Sequence, residues 1–373
     1  MSKQRILGEG TFGCVVQDPA DPNVAIKIMP LFDDDGCVEE SSLRELLFSS
    51  MLRSNADSSK SISMYIGATV SSEKAEVSVY MPRANMDLAH WVKTTMRKKR
   101  LEHVADFATQ LVDSLDSLHR SGFIHGDLKP ANVLLYINKE SDNIDLKIAD
   151  LGSCSLRRGQ MCPDRCTYAY RAPEGFFEFP PSRYYDYRSF DYFAVGAILY
   201  NIIYGKLLIP GNAEQLKVQR LWQSGTISKL IKELVCPPDV PPDVHAMMMS
   251  MLTPDPRKRW TSAEDTIMAE TTEIFGIKSP SQESSPSASS VASSSASDTE
   301  SEISSLCSKW SKSTDVTNMA NVFSSYVKSS KVAVIMAECL LLRDVSYCAS
   351  DEARSESVQT DVRDALASMF APQ

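Results

Sequence analysis

Asp127, Lys129 and Asn132 stand within six residues of one another in His125-Gly126-Asp127-Leu128-Lys129-Pro130-Ala131-Asn132, and a second acid follows 18 residues after Asn132 in Asp150-Leu151-Gly152. A carboxylate at the first of these positions can accept the proton of an attacking hydroxyl, and an ammonium two residues on can offset charge on a group in transfer. Asn132 and Asp150 add one neutral and one anionic oxygen, the hard donors that Mg²⁺ takes beside phosphate and water. As a set they suit phosphoryl transfer. Singly they say little, because an aspartate in a short triplet more often caps its own turn.

Positioning such groups needs a scaffold, and the flanking sequence offers one. Residues 5 to 29 read as strand, glycine turn, strand, strand. Gly8-Glu9-Gly10-Thr11-Phe12-Gly13-Cys14-Val15 puts three glycines where a hairpin brings its backbone close to phosphate oxygens and a Cβ would obstruct. Glycine-rich hairpins are common, so weight comes from Val24-Ala25-Ile26-Lys27-Ile28, an alternating strand with a single lysine 14 residues after Gly13. Strand lysines usually face water. This one sits among apolar neighbours, and Glu45, 18 residues on in the helix-like run Ser42 to Phe48, is its candidate partner. Glu76 to Met81 alternates as a strand, and Val104, Phe107, Ala108, Leu111, Leu115 and Leu118 recur at helical spacing between Glu102 and Arg120. Residues 133 to 149 read as two short strands joined by a polar turn.

With 373 residues, 43% hydrophobic and 23% charged, the chain can bury a substantial core as one two-lobed domain or two small ones. A net charge of −9 and a pI near 5.2 argue against a general nucleic-acid binder. Nine cysteines without a regular framework, and no secretory leader, point to a reducing intracellular setting, cytoplasm or nucleus. No apolar run approaches the roughly 20 residues of a membrane span. Cys154, Cys162 and Cys166, with Arg157, Arg158 and Arg165 around them, lack an adjacent histidine and read as reduced thiols beside a solvated or substrate-facing surface. From Ser279 to Ser313 serine dominates with scattered acids, a composition expected to be disordered. Beyond it, the apolar run Val332 to Leu342 suits either a helix docking back on the main domain or a segment that binds a partner.

Taken in order, these segments resemble the eukaryotic-type protein kinase superfamily, serine/threonine branch. The resemblance covers about 70% of the chain, from the glycine hairpin through Thr167 and Ala172-Pro173-Glu174 to Asp191-Tyr192-Phe193-Ala194-Val195-Gly196 and Arg259. It implies an α+β bilobal protein kinase-like fold, with a β-rich N-lobe over 1–84 and a helical C-lobe over 85–278, then a Ser-rich disordered linker over 279–316 and an extension over 317–373. It implies ATP and Mg²⁺ as cofactors, protein substrates with Ser/Thr acceptors, and Asp127 as catalytic base with Lys129, Asn132 and Thr167 beside it. Gly8, Glu9, Gly10, Gly13, Val15, Ala25 and Leu134 would then enclose the nucleotide. Lys27, held by Glu45, would grip the α- and β-phosphates, and Asn132 and Asp150 would hold the metal. Met81 would guard the back of the pocket, the Pro82 carbonyl and Ala84 N–H would meet adenine, and Asp87 would lie near the ribose. The Thr167 hydroxyl would bond the catalytic aspartate and lysine, and Arg259 would pair with Glu174.

The hinge Met-Pro-x-x-x-x-Asp-Leu is similar to that of certain herpesviral kinases, which suggests a viral member. Gly126 departs from the family where many regulated members carry an arginine that grips a phosphorylated loop, so the resemblance implies activity without that latch. Leu151 replaces the usual phenylalanine. His-Gly-Asp also occurs in small-molecule kinases of the same fold, but Lys129-Pro130, Thr167, Ala-Pro-Glu and Arg259 belong to the protein-substrate type. A non-catalytic scaffold would be expected to lack Lys27, Asp127 or Asp150, and all three are present.

Overall fold

The computed structural model describes residues 5–10, 13–30, 39–53, 61–63, 65–71, 76–138, 140–141, 143–156, 166–177, 188–210 and 214–261. The serine-rich linker, the extension with Val332 to Leu342, Cys162 and the three arginines near it lie outside the described residues.

The first lobe is an antiparallel five-stranded sheet with one helix. Strands β1 (Ile6–Gly10), β2 (Gly13–Gln17) and β3 (Val24–Pro30) precede helix α1 (Glu40–Arg53), and β4 (Gly67–Ser71) and β5 (Glu76–Pro82) follow it, in sheet order β1-β2-β3-β5-β4. Register decides what this sheet offers. Val15 lies opposite Lys27, Lys27 opposite Val79, and Ala25 opposite Met81, while Gly8 lies opposite Val15. Paired residues share a face and alternate residues return to it, so Val15, Ala25, Lys27 and Met81 all present to one side. On β5, Val77, Val79 and Met81 are buried while their neighbours are less so, the alternation visible in the sequence.

The second lobe is mainly helical. Strand β6 (Met86–Asp87) leads into α2 (Leu88–Thr94) and α3 (Arg97–Arg120), followed by β7 (Phe123–Ile124), β8 (Val133–Ile137), β9 (Ile144–Ile148) and β10 (Ser155–Leu156). Strands β6, β8 and β9 form one small sheet, and β7 pairs with β10. Helix α3 begins at Arg97 and not at Glu102, because Arg97-Lys98-Lys99-Arg100 favour helix while carrying no apolar period to announce it. Gln110 on α3 clips β9 from both ends of its amide, donating to Ile144 O at 2.9 Å and accepting from Leu146 N at 2.7 Å.

Helices α4 (Arg188–Tyr204), α5 (Gln215–Gln223), α6 (Thr226–Lys232) and α7 (Pro242–Met251) complete the lobe. Helix α4 is buried on every side from Arg188 to Ile203, which explains its continuous apolar sequence. It packs between α3 and α7. A Cβ on Gly196 would stand 3.0 Å from side-chain atoms of Met251 and Leu252, so the approach of α4 to the end of α7 depends on glycine.

Candidate active site

A cavity of about 550 Å³ opens against the shared face of the first sheet. Gly8, Glu9, Gly13, Val15, Ala25, Lys27, Glu45, Met81, Pro82, Ala84 and Asp87 line it, and Asp127, Lys129, Asn132, Leu134 and Asp150 close it from the second lobe. Gly10 sits opposite Gly13 at the hairpin tip. The glycines have separate reasons. Around Gly8 an added Cβ would meet nothing within 4 Å, whereas at Gly13, with φ +135°, it would fall 2.1 Å from the Ile28 carbonyl oxygen. Gly13 is therefore required by the neighbouring strand, whatever approaches the hairpin from the cavity.

Lys27 reaches across the cavity. Its Nζ donates to Glu45 Oε2 on α1 and to Asp150 Oδ1, the latter at 3.2 Å across 123 positions of sequence. Burial pulls the Lys27 ammonium down, but the Glu45 and Asp150 carboxylates overrule it and hold the group well above the ordinary lysine range. Burial likewise works to raise Asp150, and Lys27 beside it keeps that carboxyl below the usual value. Both partners thus remain charged at neutral pH. Asp150 itself has φ +66° and is the non-glycine residue with positive φ among the described residues, a strained conformation typical of functional positions.

Asp127, on the loop between β7 and β8, is held by both carboxylate oxygens. Oδ1 accepts from Thr167 N at 2.6 Å, and Oδ2 accepts from Lys129 Nζ at 2.6 Å. The Thr167 hydroxyl accepts from Lys129 Nζ at 3.1 Å, so Thr167 meets the lysine through its side chain and the aspartate through its backbone. That corrects the expectation that the hydroxyl serves both. Asn132 donates Nδ2 to the Asp127 carbonyl at 2.9 Å, which leaves its amide oxygen as the end available to a cation. His125 is fully buried, with Nε2 3.1 Å from Ala149 O and Nδ1 accepting from Asp127 N at 3.3 Å. With those partners Nε2 faces an acceptor and Nδ1 a donor.

Asp191 on α4 anchors this loop from below, accepting from His125 N at 2.8 Å, Gly126 N at 3.0 Å and His119 Nε2 at 2.8 Å. Farther out, Arg259 forms a buried fork on Glu174, with Nη1 to Oε1 at 2.5 Å and Nη2 to Oε2 at 2.9 Å.

At the connection between the lobes, Arg83 N donates to Asn23 O and Asn85 N to Leu135 O, while among the described residues no hydrogen bond takes Ala84 N–H. The Pro82 carbonyl accepts from Tyr136 Oη at 3.1 Å, so one of its two lone pairs already has a partner. Asp87 lines the cavity and also caps α2 by accepting from His90 N at 2.7 Å.

A model of the protein kinase domain matches residues 1–272. The chain belongs to the protein kinase family. Among its relatives, the mitogen-activated protein kinase HOG1 of Candida albicans is 40% identical over 105 residues, 28% of this chain and 26% of that protein. HOG1 of Saccharomyces cerevisiae is 29% identical over 201 residues, covering 48% and 44%, and the serine/threonine-protein kinase ULK3 of Xenopus laevis is 31% identical over 179 residues, covering 47% and 35%. The matches span less than half the length of these relatives. A chain of the CAK complex from Chaetomium thermophilum, solved bound to ATP-gamma-S, shares the fold with a TM-score of 0.52 at 23% identity, over 69% of this chain and 86% of that one.

The cavity of this kinase also has walls that motif reading passes over. Ser63 and Tyr65 line it, and the Tyr65 hydroxyl donates to Glu45 Oε1. Neither belongs to a recognisable motif, and residue 65 precedes β4 by only two positions, where periodicity gives no signal. Among the described residues no cluster of three or more His, Cys, Asp or Glu could hold a metal by itself. The oxygen set of Asp150 and Asn132 fits Mg²⁺ as an ion whose shell is completed by phosphate and water.

Proposed function

We propose that this protein transfers the γ-phosphate of ATP to serine and threonine hydroxyls of protein substrates. One observation carries the reading: Lys27 of β3 is ion-paired to both Glu45 and Asp150 inside the cavity that also presents Asp127. In this reading Lys27 binds the α- and β-phosphates, and Glu45 keeps its ammonium aimed at them. Asp127, fixed by Thr167 N–H and Lys129, orients the acceptor hydroxyl and takes its proton, a contribution of about 10²–10⁴ in rate. Lys129 offsets charge on the phosphoryl group as it moves. Asp150 and Asn132 would hold Mg²⁺, which would supply positive charge against the phosphates. Ala84 N–H and the open lone pair of Pro82 O offer the adenine edge one donor and one acceptor, with Val15, Ala25 and Leu134 supplying apolar faces and Asp87 standing on the ribose side.

Protein acceptors are favoured because Thr167 ties the segment ending in Ala172-Pro173-Glu174 to Lys129 and Asp127, and Arg259 anchors that segment through Glu174. We place the reaction inside the cell, where ATP is abundant and thiols stay reduced. The viral reading rests on the hinge pattern alone. Radiolabelled γ-phosphate offered with a protein mixture, small alcohols and aminoglycosides tests the assignment. Label on phosphoserine and phosphothreonine is expected, and label on the small alcohols alone would move the chain to the small-molecule class.

A further inference from the structure

Glu45 is 3% exposed, and burial, ahead of every other influence, raises its carboxyl above the ordinary value. Two donors from outside its helix answer that pressure. Lys27 takes Oε2, and the Tyr65 hydroxyl takes Oε1. Tyr65 is itself buried, and Ser49, one turn along α1 from Glu45, also bonds its hydroxyl. A buried tyrosine hydroxyl needs a hydrogen-bond partner. Here that partner is a carboxylate bonded to Lys27, and the hydroxyl meets α1 at two points, residues 45 and 49. Two further contacts hold the same helix. Arg44 Nη1 donates to Cys154 O at 3.3 Å, and a Cβ on Gly152 would stand 3.2 Å from Ser41 O.

We propose that Tyr65 is a positioning residue for phosphoryl transfer, acting through Glu45 to hold α1 and Lys27 in the transfer-competent arrangement from within the chain. This rests on the protein kinase reading of the cavity. With Gly126 in place of a phosphate-gripping arginine, the competent position of α1 is set by a hydroxyl that is always present. No added phosphate or second subunit is needed to bring Glu45 to Lys27.

A double-mutant cycle tests it, using wild type, Tyr65→Phe, Glu45→Ala and the double variant. Each is read in kcat for transfer to a protein mixture and in Kd for a fluorescent ATP analogue with Mg²⁺, with melting temperatures alongside. Phenylalanine keeps the ring and removes only the donor. Tyr65→Phe is expected to lower kcat roughly ten-fold and to weaken the analogue less. In the Glu45→Ala background the same change is expected to cost less than about two-fold, because its target is gone. Equal losses in both backgrounds, or a wild-type rate for Tyr65→Phe, would overturn the proposal. If wild type transfers no phosphate, the kinase reading fails by itself, and coupling between positions 65 and 45 in Kd still decides this one. Should Tyr65→Phe not fold, Tyr65→Leu takes its place in the cycle.

Discussion

Gly126 has φ +80°, and a Cβ there would fall 2.8 Å from the Ser153 carbonyl oxygen, while its N–H donates to Asp191 Oδ1. Gly126→Ala must therefore strain the backbone or push the Ser153 segment away. A loss of about 1–2 kcal/mol is expected for the left-handed conformation alone, measured as a lower urea midpoint with unchanged slope; an unchanged midpoint would contradict it. From the sequence, Gly126 could be read only as a missing guanidinium, since neither its φ nor the nearness of Ser153 is written in its neighbours. Gly13 teaches the same lesson, its glycine answering to Ile28 on another strand. Lys27, Asp127, Asn132 and Asp150 were legible because chemistry restricts their types and spacing. Tyr65 was not, because its function is to reach a residue 20 positions away with a side chain that occurs in any core.

Among elements, α4 does most to fix the site, through Asp191. Burial works to raise that carboxyl, but the hydrogen bond and charge of His119, then His125 and the Gly126 N–H, hold it below the ordinary aspartate range. A depressed folded pKa means that this stabilisation is complete above the unfolded value near ~3.9 and is lost as pH falls through the lower folded value. Asp191→Asn is thus expected to flatten the fall in unfolding free energy below about pH 4, and an acid limb identical to wild type would count against it. The Glu174–Arg259 fork ties the end of the described chain to the segment before α4. Arg259→Ala, which strands a buried carboxylate, is expected to cost about 3–5 kcal/mol in thermal or denaturant unfolding; a loss below 1 kcal/mol would show the pair to be dispensable. Strands β3 and β5 were readable from alternation and α3 from its apolar stripe. The start of α3 and the helices α5 to α7 were not, because the first is polar and the others carry no motif.

For the molecule as a whole, the cavity, the Asp191 anchor and the Glu174–Arg259 fork are all formed by residues between 5 and 261. A chain ending at residue 278 is expected to melt within a few degrees of the full chain and to keep its phosphotransfer rate, and loss of either would assign the remaining residues a part in the catalytic unit. Side chains from both lobes form one site in which binding and chemistry are separable. The direct measurement is Mg²⁺-dependent transfer of ATP γ-phosphate by wild type and Asp127→Ala, with nucleotide affinity measured on the same samples. Affinity within about three-fold and transfer reduced by about 10²–10⁴ is the expected result; equal transfer by the two proteins would contradict the account.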